Sequence, residues 1–241
     1  MDKRVRDIID RSSNTVFFGG AGVSTESNIP DFRSETGLYR AMNDYGYPPE
    51  YIISKPFFER HTEVFFDYYK KNLVYPDARP NKAHIALAEL EKEGKLAGVI
   101  TQNIDGLHQK AGSKKVTELH GSILRNRCIE CGMRYGLDYI MNERNCVKGV
   151  PKCENCGGTL KPEVVLYEES LDERVLKQAI DLIKEADTLI VGGTSLVVYP
   201  AAGLIDYFRG NDLILINKSD TPYDSRATLV INEAIGEVLG D

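Results

Sequence analysis

The sequence predicts a doubly wound α/β fold: a parallel sheet covered by helices on both faces, with a smaller second lobe. Three observations carry that expectation. Short, nearly continuous apolar runs such as Thr15-Val16-Phe17-Phe18 and Leu213-Ile214-Leu215-Ile216 read as strands buried on both faces. Stretches with apolar residues at helical spacing alternate with them. Two of the runs stop at glycine pairs, Gly19-Gly20 and Gly192-Gly193, and ligands of such sheets sit beyond the carboxyl ends of the strands.

Along the chain, Val5, Ile8 and Ile9 suit an amphipathic helix ahead of the first strand. Asn81 is placed to cap a helix whose apolar positions are Ala83, Ala86, Leu87 and Leu90, ended by Gly94 and followed by the strand Gly98-Val99-Ile100-Thr101. Val116-Thr117-Glu118-Leu119 is the next strand, ending at His120. Ser170 with Glu173 forms a capping box ahead of Val175, Ala179, Leu182 and Ile183, and the strand Leu189-Ile190-Val191 follows. The uncharged stretch Thr188 to Ile205 is long enough to span a membrane, but Gly192-Gly193-Thr194-Ser195 and Tyr199-Pro200 break it into strand, turn and new helix. Ser34 to Pro80, rich in Tyr, Phe and Pro, and Gly121 to Pro162, which holds all the cysteines, fall outside this rhythm and are assigned to the second lobe. Phe57, Phe58, Phe65, Phe66, Tyr68 and Tyr69 have helical spacing and read as core, with the lining of an apolar channel as the other reading.

The 241 residues carry 30 Lys plus Arg against 36 Asp plus Glu, a net charge of −6, which disfavours a broad electrostatic hold on nucleic acid. With 42% hydrophobic residues the chain is neither disordered nor fibrous. Met1 to Arg11 mixes charged and apolar residues, so it lacks the apolar core of a signal peptide and a cytoplasmic location is expected. No membrane association and a monomeric state are expected.

Cys128-x-x-Cys131 and Cys153-x-x-Cys156 have the spacing of a four-thiolate zinc site, against the alternative of unliganded core cysteines. Four protein ligands leave no open position for water, so such a zinc is structural. Cys146 reads as a bystander. Gly20-Ala21-Gly22-Val23-Ser24 follows a strand and admits two readings, a turn opening a helix N-terminus to a phosphate or an ordinary tight turn; the dinucleotide fingerprint wants a third glycine where Thr25 stands. A second turn of this kind, Gly193-Thr194-Ser195, makes a dinucleotide the better match of the nucleotide ligands. Thr101-Gln102-Asn103-Ile104-Asp105 follows a strand, as turn formers or as groups aimed into a ligand crevice. His120, at a strand end, has a side chain suited to general-base work near neutrality, whereas His61, His84 and His108 read as packing or surface residues. Gly-x-Ser-x-Gly elbows, P-loops and His-Glu-x-x-His helices are missing.

In this order, Gly20-Ala21-Gly22-Val23-Ser24, Ile29-Pro30-Asp31-Phe32-Arg33, Thr101-Gln102-Asn103-Ile104-Asp105, Leu119-His120-Gly121, the two cysteine pairs, Gly193-Thr194-Ser195 and Asn217 make the chain resemble the sirtuins, NAD-dependent protein-lysine deacylases, of the bacterial single-core type. The resemblance implies a Rossmann-type domain formed by 1–33, 81–120 and 163–241, a helical module with a cofactor loop at 34–80, and a zinc-binding module at 121–162. It implies NAD as co-substrate, one structural zinc and acylated lysine side chains of proteins as partners. Gly20, Ala21, Gly22, Ser24, Thr25 and Gly193 to Ser195 would line the NAD phosphates and ribose, and Asn217 with Lys218 the adenosine ribose. Asn103, Ile104 and Asp105 would form the nicotinamide pocket, with Gln102 and Asn103 near the reacting carbon. Asp31, Phe32 and Arg33 belong to the cofactor loop. In the implied reaction nicotinamide leaves, the acyl oxygen attacks the sugar to give an alkylimidate, and His120 acts as base. The products are free lysine and O-acyl-ADP-ribose. An NAD-dependent protein ADP-ribosyltransferase is the alternative.

One segment departs from the family pattern. Where that pattern usually reads Val-x-Phe-Gly-Glu, this chain has Val165-Leu166-Tyr167-Glu168-Glu169, with Glu168 at the glycine position. Val165, Tyr167 and Glu168 on one side and Val197, Val198 and Tyr199 on the other are expected to pair with the substrate backbone as added strands. The Tyr-x-x-Arg pair of the succinyl- and malonyl-removing branch has no clear counterpart, which favours acetyl or another uncharged acyl group.

Overall fold

The structure is a computed structural model that describes residues 1–30 and 41–240. Its strands are β1 (Thr15–Gly19), β2 (Leu96–Thr101), β3 (Val116–Glu118), β4 (Gly121–Cys128), β5 (Arg134–Gly136), β6 (Cys146–Val147), β7 (Val150–Pro151), β8 (Leu160–Val164), β9 (Thr188–Gly192), β10 (Asp212–Ile216) and β11 (Leu229–Ile231). Six of them form a parallel sheet in the order β3-β2-β1-β9-β10-β11. The chain therefore starts in the middle, winds outward to β3, returns beside β1 and winds outward the other way. The point of reversal lies between β1 and β9, where sheets of this kind leave a crevice for a ligand. These two strands pair in unbroken register from Thr15↔Thr188 to Gly19↔Gly192, so both end level on a glycine.

Alternation along the strands explains the two covered faces. Phe17, Ile190 and Ile214 pack with Val5, Ile8 and Ile9 of the helix Lys3–Arg11 and with Ala83, Leu87 and Leu90 of the helix Lys82–Lys92. Val16, Phe18, Leu189, Val191, Leu213 and Leu215 face the opposite way, onto Ala179 and Ile183 of the helix Glu173–Glu185 and Ala202 and Ile205 of the 3-10 helix Ala201–Tyr207. Asn81 caps its helix as expected, its Oδ1 accepting from the backbone N–H of Ala83 at 3.0 Å and of His84 at 3.3 Å. The capping box at Ser170 does not form. Asp172, one residue ahead of the helix, accepts from Arg174 N–H at 2.8 Å and Val175 N–H at 3.4 Å instead, and leaves Ser170 in the preceding loop.

The smaller lobe holds the antiparallel sheet β5-β4-β8, the hairpin β6–β7 and the helices Lys55–Arg60 and Thr62–Asn72. One apolar core joins the helical and the cysteine-bearing parts: Phe57, Phe65 and Phe66 pack with Ile140, Leu160 and the thiol-bearing Cys128 and Cys153. All six residues of the aromatic run are at most 5% exposed, which makes them core and sets aside the channel reading. The chain leaves the large sheet at His120 and comes back at Val165, whose N–H donates to the His120 carbonyl at 2.9 Å. Among the described residues no helix is long and apolar enough to cross a membrane.

Candidate active site

Two glycine turns meet at the point of strand reversal. Gly193 has φ +59°, and a Cβ on it would lie 2.4 Å from the backbone nitrogen of Val23; only glycine fits. The Gly22 N–H donates to the Gly193 carbonyl at 2.8 Å, tying the turns together. The first turn continues into the 3-10 segments Ala21–Val23 and Thr25–Ser27 rather than into an α-helix. Thr25 turns its hydroxyl back onto the Gly22 carbonyl at 2.9 Å. What the turns offer a ligand is Ala21 with the hydroxyls of Ser24, Thr194 and Ser195.

The segment after β2 delivers the amides and the carboxylate. Gln102 Nε2 donates to Thr194 Oγ1 at 3.2 Å, bridging to the second turn. Asn103 Nδ2 donates to Ser24 Oγ at 3.0 Å, and Ser24 Oγ donates to Asp105 Oδ2 at 2.7 Å. Asp105 Oδ1 accepts from Leu107 N–H at 2.8 Å, which starts the helix Leu107–Ala111. Burial pushes the Asp105 carboxyl upward, opposed by its bonds to Leu107 and Ser24. Turn-making and crevice-lining, posed as alternatives, are both realised here by the same residues.

β3 ends at Glu118, and His120 lies two residues on, in the turn that leaves the sheet. Its Nδ1 is 2.9 Å from the Gln102 carbonyl oxygen. A carbonyl can only accept, so Nδ1 carries the hydrogen and the neutral ring keeps its basic lone pair on Nε2. Burial lowers the imidazole below the ordinary histidine range, with the Gln102 bond acting against it. Gly121, at φ +76°, lets the chain turn directly after this residue: a Cβ there would stand 2.0 Å from the Glu163 carbonyl oxygen.

A cavity of about 310 Å³ joins these groups, lined by Ala21, Ser24, Gln102 to Asp105, His120 and Gly193 to Ser195, and reaches Val165, Tyr167, Glu168, Val198 and Tyr199 at its rim. β8 stops at Val164, and beyond it Tyr167 makes an isolated parallel bridge with Ser54. Tyr167 is anchored, its N–H donating to Ile53 O and its carbonyl accepting from Lys55 N–H, each at 3.0 Å. Gly20, Gly22, Thr25 and Val197 stand behind or beside the lining, and Asn217 and Lys218 lie after β10, outside it on the same edge of the sheet. Asp31, Phe32 and Arg33 lie outside the described residues. Sequence reasoning missed Ile53, Asn72 and Leu73, which also line the cavity. None bears a reactive group, and only their spatial placement reveals them.

In the smaller lobe the Sγ atoms of Cys128, Cys131, Cys153 and Cys156 lie within 4.8 Å of one another. Cys128 and Cys156 are 3.5 Å apart and Cys131 and Cys153 3.6 Å, the crowding expected of thiolates aimed at one tetrahedral ion. The Tyr135 hydroxyl sits 3.0 Å from Cys153 Sγ as an outer partner. The donor set fits zinc with all positions filled by protein. Cys146 stands apart from them, with Lys70 Nζ 3.3 Å away.

A reversal-point cleft carrying a fixed imidazole, beside a four-thiolate module, defines a two-lobed nucleotide-binding protein with a structural metal. The pattern of the Sir2 family matches residues 20–200. An NAD-dependent protein deacetylase of Clostridium acetobutylicum is 59% identical over 235 residues, covering 98% of this chain and 95% of that protein. Another, of Clostridium perfringens, is 60% identical over 238 residues, with 98% and 96% covered. Among solved structures, a Sir2 complex with a p53 peptide and NAD+ superposes with TM-score 0.87 at 39% identity, covering 98% of this chain and 95% of that one. A complex with a propionylated peptide gives 0.85 at 39% identity, with 98% and 94% covered. The chain belongs to the Sir2 family.

Proposed function

We propose that the protein is an NAD-dependent protein-lysine deacylase, most active on acetyl-lysine. The observation that carries this reading is the placement of His120, its Nδ1 held on the Gln102 carbonyl at 2.9 Å, in the same cavity as the Asn103–Ser24–Asp105 network and the second glycine turn. The residues suit the co-substrate. Asp105 can accept from a carboxamide, and the Thr194 and Ser195 hydroxyls can donate to phosphate or ribose oxygens, as Asn217 can to the distal ribose. NAD supplies an electrophilic ribose carbon when its nicotinamide departs. His120 then takes a proton from a ribose hydroxyl through Nε2, for which its lowered pKa keeps it neutral and competent. Gln102 and Asn103 order the polar groups around the reacting centre. The zinc, held by Cys128, Cys131, Cys153 and Cys156, takes no part in the chemistry.

The products of this reaction are nicotinamide, unmodified lysine and O-acyl-ADP-ribose. The names of the relatives, and a Sir2 complex holding 2'-O-acetyl-ADP-ribose and a deacetylated peptide at 38% identity, support it. Within it the enzyme acts as a cytoplasmic monomer on proteins rather than on nucleic acid or membranes. The net charge of −6 and a cysteine set suited to metal rather than disulfides favour that setting.

Mass spectrometry of NAD incubated with an acetyl-lysine peptide tests the reading, with O-acetyl-ADP-ribose as the expected product. Label from NAD retained on protein would support ADP-ribosyl transfer instead. His120→Ala should lower turnover by about 10²- to 10⁴-fold, the range for loss of a general base, while NAD still binds; turnover near that of the unaltered chain would remove His120 as the base.

A further inference from the structure

Leu166 to Glu169 form a tight turn closed by the Glu169 N–H, which donates to the Leu166 carbonyl at 3.0 Å. Glu168 is its third residue and sits at φ +68°, a left-handed conformation that glycine adopts freely and that costs a residue with a long side chain about 1 kcal/mol or more. Strain of this sort clusters at ligand-binding and catalytic sites. The neighbouring Glu169 is engaged within the turn, its Oε2 accepting from Leu166 N–H at 2.9 Å and from Lys161 Nζ at 3.0 Å. Glu168 is exposed at the rim of the cavity, and among the described residues its carboxylate has no ion-pair partner.

The charge around it is one-sided. Among the described residues that line the cavity there is no lysine or arginine, against the carboxylates of Asp105, Glu168 and Glu169. Asp105 is engaged by Ser24 and Leu107, and Glu169 by Lys161. Among the described residues Glu168 is the one carboxylate of the cavity without a partner, on the rim segment expected to meet the substrate backbone on the deacylase reading. Across the cavity Tyr199, 69% exposed, offers an apolar wall and no counter-charge.

We propose that Glu168 is a specificity residue: it selects acyl-lysine substrates that carry a lysine or arginine within two residues of the modified side chain, and penalises acidic flanks. This rests on the deacylase reading above and adds to it the chemistry of the preferred protein substrate. A cation placed there gains one partly exposed ion pair, and an anion meets a like charge, which changes selectivity more than overall strength of binding.

The test measures kcat/KM on three acetyl-lysine peptides that differ only in having two arginines, two alanines or two glutamates beside the modified residue. It uses the full chain, Glu168→Gln and Glu168→Gly, at low and high salt. The arginine peptide should exceed the alanine peptide by about threefold and the glutamate peptide by about tenfold at low salt, mostly through KM. The ratios should shrink at high salt and collapse in both variants. Equal rates on the three peptides with the unaltered chain, or ratios that survive Glu168→Gln, would overturn the proposal. Collapse in Glu168→Gly alone would trace the effect to the backbone and overturn it too. No turnover of any acyl-lysine peptide would remove the deacylase reading and this proposal with it.

Discussion

The large sheet and the smaller lobe are held together by different physics. Every residue of β1 and β9 is buried, the sheet is covered on both faces, and the strand pairing is level to the last residue. Apolar burial at about 25 cal/mol per Å² suffices for such a layered core. In the smaller lobe the hairpin strands β6 and β7 have two residues each, and two of the cysteines double as core residues. There an ion held by the four thiolates would add to the aromatic core, because metal binding energy becomes folding energy. The contrast teaches that the site lies on the seam between a region held by burial alone and one in which burial is joined by a set of metal ligands.

Removing the metal should break the comparison most visibly. Chelation, or Cys153→Ser, should abolish the near-ultraviolet signal of Tyr135 and Tyr139 while leaving most of the helical far-ultraviolet signal. A chelated protein whose melting temperature does not move would count against a structural ion.

Next in size is the seam itself. Gly121→Ala should destabilise the fold by about 3 kcal/mol, since the added methyl meets backbone at 2.0 Å and the φ of +76° is unfavourable besides. Denaturant titration measures it, and a loss under 1 kcal/mol would mean that the turn relaxes freely.

Acid should weaken the large lobe through its buried histidines. Burial pushes His84 down to about 4 and, with the neighbouring His84 as a second cause, His108 down to about 3. An unfolded histidine titrates near 6.5. Between these values the unfolded chain binds more protons, so stability is full above about pH 6.5 and falls as pH drops toward about 4. A melting temperature flat between pH 7 and pH 4.5 would contradict this.

The smallest expected effect sharpens the contrast from the rim. Glu168→Gly should stabilise the protein by about 1 kcal/mol by releasing the left-handed strain, which calorimetry resolves. A loss of stability would mean that the glutamate makes a compensating contact.

How much of this was legible in the sequence depends on periodicity and chemistry. The buried strands and their glycine ends stood out because a parallel sheet demands continuous apolar runs, and the thiol pairs because coordination fixes their spacing. The cap of the helix Glu173–Glu185 was misplaced because Ser170 and Asp172 are both good caps, and only the path of the loop decides between them. The 3-10 turns after Gly20 reflect the close approach of Gly193, a contact between residues far apart in the chain. The left-handed backbone of Glu168 left a trace as a glutamate where glycine is usual, but its meaning needed the geometry.

The pairing of Val165 with His120 at 2.9 Å ties together the two stretches of chain that run between the large sheet and the cysteine-bearing part, with the imidazole at their root. The ring whose Nδ1 rests on the Gln102 carbonyl therefore sits where the cysteine-bearing part joins the large sheet. Loosening of that part, as on loss of its metal, is expected to disturb the backbone that carries the ring.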